Sequence, residues 1–104
     1  YIKIMKLNNE QFDILRKISK ESDVSQRKIA KDLGYSLGKV NYCLEALKTK
    51  GLIKMSNFKE SKSKTNYLYY LTPKGLTEKT KITIRFMKQK MQEYDELQKE
   101  LNIN

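Results

Sequence analysis

The sequence predicts a mainly α fold with a small β-wing, on three observations. Two short amphipathic segments are joined by only Gly34-Tyr35-Ser36, two strand-like runs flank a lysine-rich loop, and a long helical segment closes the chain. With 104 residues, 38% of them apolar, the chain holds one domain's worth of core. That supply suits a few helices and a small sheet better than a large sandwich.

Asn8 or Asn9 can cap a first helix, in which Phe12, Leu15 and Ile18 recur every three residues and Ile14 widens the stripe. Glu21-Ser22-Asp23 breaks that pattern. Ser25 is placed to cap a second helix whose Ile29, Ala30 and Leu33 share a face. Gly34 follows as the residue that ends it in a left-handed turn. Ser36 caps a third helix with Leu37, Val40, Leu44 and Leu47 as the inward stripe, and Gly51 stops it. Two helices with so short a connection must turn sharply, as in a helix-turn-helix.

Residues 52–58 read as a strand, 59–66 as an exposed polar loop, and 67–71 as the returning strand, rich in Tyr and Leu. Thr72-Pro73 then starts a last helix reaching about Leu101, roughly 42 Å at the usual rise. The order is that of a winged helix-turn-helix followed by a long C-terminal helix. The chain divides into an arm at 1–8, a winged helix-turn-helix domain at 9–75 and a dimerisation helix at 76–104. Ile84, Met87, Met91, Tyr94 and Leu101 on that helix lie at coiled-coil-like spacing, interrupted by Gln98. Ile82 and Phe86 fall on another side and are free to pack on the helix's own domain. Two apolar faces on one helix point to a partner chain, a homodimer.

Lys and Arg number 22 against 12 Asp and Glu, a formal charge of +10. Residues 25–90 carry 16 of the basic and only 4 of the acidic side chains, so the charge sits on the middle of the chain. Such a surface favours a polyanion, and nucleic acid before membrane. No segment approaches the length of an apolar membrane span, and the single Cys43 reads as a small buried hydrophobe in a reducing cytoplasm. With no His, one Cys and four scattered Gly, no metal set, His-based catalyst or phosphate-cradling loop can be assembled, and no cofactor or enzymatic activity is expected.

An α-helix fits the major groove of B-DNA, and in this motif the second helix reads it. Its outward residues are then Ser36, Gly38, Lys39, Asn41, Tyr42, Glu45 and Lys48. Asn41 has the amide that suits adenine, Lys39 can reach guanine or phosphate, Tyr42 a thymine methyl or phosphate, and Gly38 permits close approach. Ser25, Gln26 and Arg27 open the preceding helix and can hold a phosphate. Lys59, Lys62 and Lys64 supply a basic wing tip for the backbone or minor groove. There are 19 Lys and 3 Arg, and Lys lacks the two-pronged guanine contact of Arg, so affinity should be strongly electrostatic and salt-sensitive.

The runs Ser25-Gln26-Arg27-Lys28-Ile29-Ala30, Ser36-Leu37-Gly38-Lys39-Val40-Asn41-Tyr42-Cys43-Leu44, Asn57-Phe58-Lys59, Leu71-Thr72-Pro73-Lys74-Gly75 and Phe86-Met87-Lys88-Gln89-Lys90-Met91-Gln92-Glu93-Tyr94 resemble the small MarR-family regulators associated with bacterial exopolysaccharide gene clusters. The similarity spans roughly residues 10 to 100. It implies a bacterial, nucleoid-associated transcription regulator that acts as a dimer near polysaccharide genes. Larger members of that family have a substantial N-terminal dimerisation helix and an Asp-x-Arg wing element; here Lys62 and Lys64 stand in the wing. Other functions open to such a chain are a protein-interaction module and non-specific nucleic-acid binding. The sequence names no effector.

Overall fold

The computed structural model describes residues 6–57 and 67–102 of the chain. The elements run α1 (Asn9–Lys20), β1 (Val24–Ser25), α2 (Gln26–Leu33), α3 (Leu37–Thr49), β2 (Ile53–Asn57), β3 (Tyr67–Leu71) and α4 (Pro73–Asn102). Each helix begins where a polar side chain satisfies its free N–H groups. Asn8, rather than Asn9, caps α1: its Oδ1 accepts from Gln11 N at 2.8 Å while Gln11 Oε1 accepts from Asn8 N at 3.2 Å. Ser25 and Ser36 cap α2 and α3 by accepting from Lys28 N and Lys39 N.

The turn between α2 and α3 depends on Gly34, whose φ of 72° lies in the left-handed region that is cheap only for Gly. Tyr35 N then donates back to Ala30 O at 3.0 Å and closes the turn. One core joins Ile14, Leu15 and Ile18 of α1, Ile29 and Ala30 of α2, and Val40, Cys43, Leu44 and Leu47 of α3 to the sheet through Val24, Ile53 and Tyr69. Cys43 is buried as a small apolar side chain, with burial pushing its thiol pKa up. Leu37 departs from the expected inward stripe. It is 49% exposed. It occupies the first residue of α3, and at 100° per residue it lies about 70° from the centre of the Val40, Cys43, Leu44 and Leu47 face.

The sheet has three strands in the order β1-β3-β2, both pairings antiparallel. β1 was not foreseen in the sequence. Its two residues pair Val24 with Tyr69 and Ser25 with Leu68, so β3 is central. Asp23, at φ 59°, swings the chain from the end of α1 into this strand. β2 ends at Asn57; Phe58, expected in that strand, and the 59–66 loop lie outside the described residues.

A compact lock roots α4. Thr72 Oγ1 donates to Gly51 O at 2.7 Å and accepts from Gly75 N at 2.9 Å, while Thr72 N donates to Leu52 O at 3.0 Å. Gly75 sits directly against the Leu52 carbonyl, where a Cβ would overlap backbone. The Leu-Thr-x-x-Gly element thus fastens the last helix to the exit of α3. α4 is continuous across the boundary placed at residues 75 and 76. Ile82 is buried, and the Phe86 ring packs 5.1 Å from that of Phe12 on α1, so one face of α4 does bind its own domain. From Met87 to Asn102 every residue is exposed. The radius of gyration is 17.2 Å, against about 13 Å for a compact chain of this size.

Candidate nucleic-acid interface

α3 presents two chemically distinct sides. Val40, Cys43, Leu44 and Leu47 are buried, whereas Leu37, Gly38, Lys39, Asn41, Tyr42 and Glu45 are exposed. Tyr42 is 72% exposed. Among the described residues, nothing lies within 4 Å of the place a Cβ of Gly38 would take, which leaves its backbone open to an approaching molecule. Ser36 is exposed but its hydroxyl already serves the cap. Lys48 is half-buried and pairs with Glu45 at 3.0 Å on the same helix.

Lys39 is held from below. Its Nζ lies 5.2 Å from the centroid of the Tyr35 ring and 3.7 Å from Glu10 Oε1 on α1. Tyr35 is itself fixed, its hydroxyl donating to Asp13 Oδ2 at 2.8 Å. That hydrogen bond to the carboxylate, with burial added, pushes the phenol pKa up to about 12. A tyrosine between the two helices therefore links α1 to the start of α3. Neither Tyr35 nor Glu10 was singled out in the sequence, because their partners are 22 and 29 positions distant.

At the head of α2, Arg27 is exposed. The Gln26 amide is engaged instead, donating from Nε2 to Leu37 O at 3.0 Å and tying the start of α2 to the first residue of α3. A charge network secures the other end of α2 to α1. Lys17 Nζ lies 2.7 Å from Asp32 Oδ2 and 2.8 Å from Glu21 Oε1, and Lys28 Nζ reaches Asp32 at 3.0 Å. Hydrogen bonds from Lys17, then Lys28, lower the Asp32 pKa, and the same bonds raise the two lysines. The structure thus brings Ser25, Gln26, Arg27, Ser36, Gly38, Lys39, Asn41 and Tyr42 to the neighbouring N-terminal halves of α2 and α3. Lys59, Lys62 and Lys64 lie outside the described residues.

Along α4, Ile84, Met87, Met91, Tyr94 and Leu101 are all exposed, between 47% and 82%. Leu97, also exposed, joins them. It was passed over in the sequence because it falls one position before Gln98 in the strict repeat. No helix among the described residues is long and apolar enough to cross a membrane.

Two helices across a tight turn, a three-stranded sheet and an exposed second helix decide the architecture. It is a winged helix-turn-helix. Residues 7–54 match the family model described as winged helix-turn-helix DNA-binding. A search of curated proteins finds no match. Among solved structures, the chain superposes on the zinc-responsive MarR family member ZitR from Lactococcus lactis with a TM-score of 0.72 at 25% identity, covering 91% of this chain and 63% of that one. The transcriptional regulator PcaV from Streptomyces coelicolor, solved with its natural ligand, gives 0.72 at 18% identity, over 79% of this chain and 57% of that one. A further MarR family transcription regulator gives 0.73 at 20% identity, covering 92% and 70%. The chain thus spans about three fifths of the length of ZitR and PcaV, and shares with these regulators the fold.

Proposed function

We propose that this chain is a bacterial transcription regulator that binds double-stranded DNA as a homodimer. The observation that carries the reading is the exposed, uncovered N-terminal half of α3 within a strongly basic winged helix-turn-helix. In this motif that half enters the major groove. Lys39, Asn41 and Tyr42 are the base-reading set, with Leu37 added as an apolar contact for a thymine methyl. Asn41 hydrogen-bonds adenine. The open backbone at Gly38 lets the groove edge come close.

The N–H groups at the head of α2, with Ser25 and Arg27, hold a phosphate, and Gln26 fixes the angle between α2 and α3. Lys48 and the wing lysines Lys59, Lys62 and Lys64 add phosphate contacts. The apolar stripe of α4 closes the dimer, which presents two copies of α3 to a palindromic site. Control of exopolysaccharide-related genes, in a cytoplasmic, nucleoid-associated setting, is supported by the resemblance of the runs at 25–30, 36–44 and 86–94.

The test is a fluorescence-anisotropy titration of labelled duplex DNA at two salt concentrations, with random-sequence competitor. Binding should weaken steeply with salt, by a log–log slope near −0.9 per neutralised phosphate, and should partly survive the competitor. Complete loss to competitor would instead mean a non-specific binder. No salt-dependent duplex binding at all would mean a protein-interaction module.

A further inference from the structure

The charge on α4 is segregated about the middle of its exposed stripe. Residues 84–91 carry Arg85, Lys88 and Lys90 with no acidic residue, whereas 92–101 carry Glu93, Asp95, Glu96 and Glu100 against the single Lys99. These are net charges of +3 and −3 on two adjoining halves of one helix. Among the described residues, nothing of the chain's own domain covers either half beyond Phe86, since every residue from Met87 to Asn102 is exposed. The stripe itself turns away from the face that Ile82 and Phe86 bury.

Resting on the dimer reading above, we infer that the occupant of this stripe is α4 of a second copy, running antiparallel. A parallel pair would lay the basic half on the basic half and the acidic half on the acidic half. An antiparallel pair lays each basic half along the partner's acidic half, twice by symmetry. The apolar positions agree with this direction. About a centre between Gln92 and Glu93, Ile84 meets Leu101 of the partner chain, Met87 meets Gln98 with Leu97 beside it, and Met91 meets Tyr94. Each layer joins an a position to a d position, as antiparallel coiled coils do. Lys88 and Asp95 flank the seam and face each other across it.

The arrangement has a consequence for reach. Pro73 lies about 20 residues from that centre, so at about 1.5 Å per residue the two α4 roots are held about 60 Å apart. The two winged domains then sit at opposite ends of a helical spacer.

Cysteine cross-linking decides the direction. In a Cys43→Ala background, Ile84→Cys and Leu101→Cys chains are prepared separately and then mixed under mild oxidation. The antiparallel pair predicts a disulfide only in the mixture. Self-linking of either chain alone overturns it, because like positions near the ends are about 25 Å apart in this arrangement. Sedimentation of the unmodified chain separates the two readings: a dimer that self-links overturns the direction alone, and a monomer overturns both. A charge exchange gives a second readout that leaves the stripe intact. Lys88→Glu should raise the dimer dissociation constant on the order of tenfold, as two attractive pairs become repulsive. Adding Asp95→Lys should restore it; failure to restore overturns the facing of Lys88 and Asp95.

Discussion

Substituting Gly75 by Ala should be severe although the change is one methyl group. The Cβ would overlap the Leu52 carbonyl oxygen, lie 2.9 Å from the carbonyl carbon and 3.2 Å from Leu71 Cδ2. The first two are backbone atoms, so neither can swing aside as a side chain would. Relief requires the start of α4 to back away from Leu52. That movement stretches the bonds of Thr72 to Gly51 O and Leu52 O, at 2.7 and 3.0 Å, each worth about 1 kcal/mol net. Overpacking itself costs about 1–3 kcal/mol, and the better helix propensity of Ala returns at most about 1 kcal/mol. The net loss is about 2–4 kcal/mol, out of a total that is about 5–15 kcal/mol for such domains. Thermal unfolding followed by circular dichroism, at matched protein concentration, should show a midpoint lowered by about 10–25 °C. A midpoint within about 3 °C of the parent would refute the close approach of α4 to Leu52 and the role given to the Leu-Thr-x-x-Gly element.

Gly38→Ala makes the opposite case. With nothing within 4 Å among the described residues, it should keep or raise stability by up to about 1 kcal/mol while weakening duplex binding; unchanged affinity would remove Gly38 from the proposed interface. Tyr35→Phe removes the bond to Asp13. Because the folded phenol pKa is raised to about 12, its contribution is complete below the unfolded value near 10 and is lost as pH climbs from there. The stability gap between parent and variant, measured by urea unfolding, should therefore close between pH 10 and 12; a gap constant over that window would contradict the bond. Asp32 behaves in the reverse sense. Its lowered pKa makes its contribution present at neutral pH and lost on acidification, so Asp32→Asn should differ from the parent at pH 7 and converge with it below pH 4. Met87→Lys should leave a folded monomer in sedimentation, and an unshifted dimer would place the seam elsewhere.

Much of this fold is legible because it is written in local chemistry. The caps at Asn8, Ser25, Ser36 and Thr72 act within three residues of themselves, and the turn at Gly34 needs only its own backbone freedom. β1 is different. Two residues cannot show an alternation, and Val24-Ser25 becomes a strand because β3, with partners 45 and 43 residues on, has an edge to pair with. Leu37 shows a second limit: periodicity gives a direction around the helix, and its own packing depends on what stands behind the first turn. The same reason hid the support beneath Lys39. Tyr35, Asp13 and Glu10 meet only once α1 and α3 are packed, so the support they give Lys39 is a tertiary property. The outward set on α3 was readable since it is the complement of a buried stripe on a single helix.

Under the proposed function, α3 reads base sequence through its outward residues. Selection of bound duplexes from a random pool by the parent protein and by Asn41→Ala tests it most directly. The parent should enrich a palindromic motif, with preference lost at one position per half-site in the variant, an effect of about 1–3 kcal/mol at that base pair. Enrichment of no motif by the parent, or an identical motif with Asn41→Ala, would contradict it.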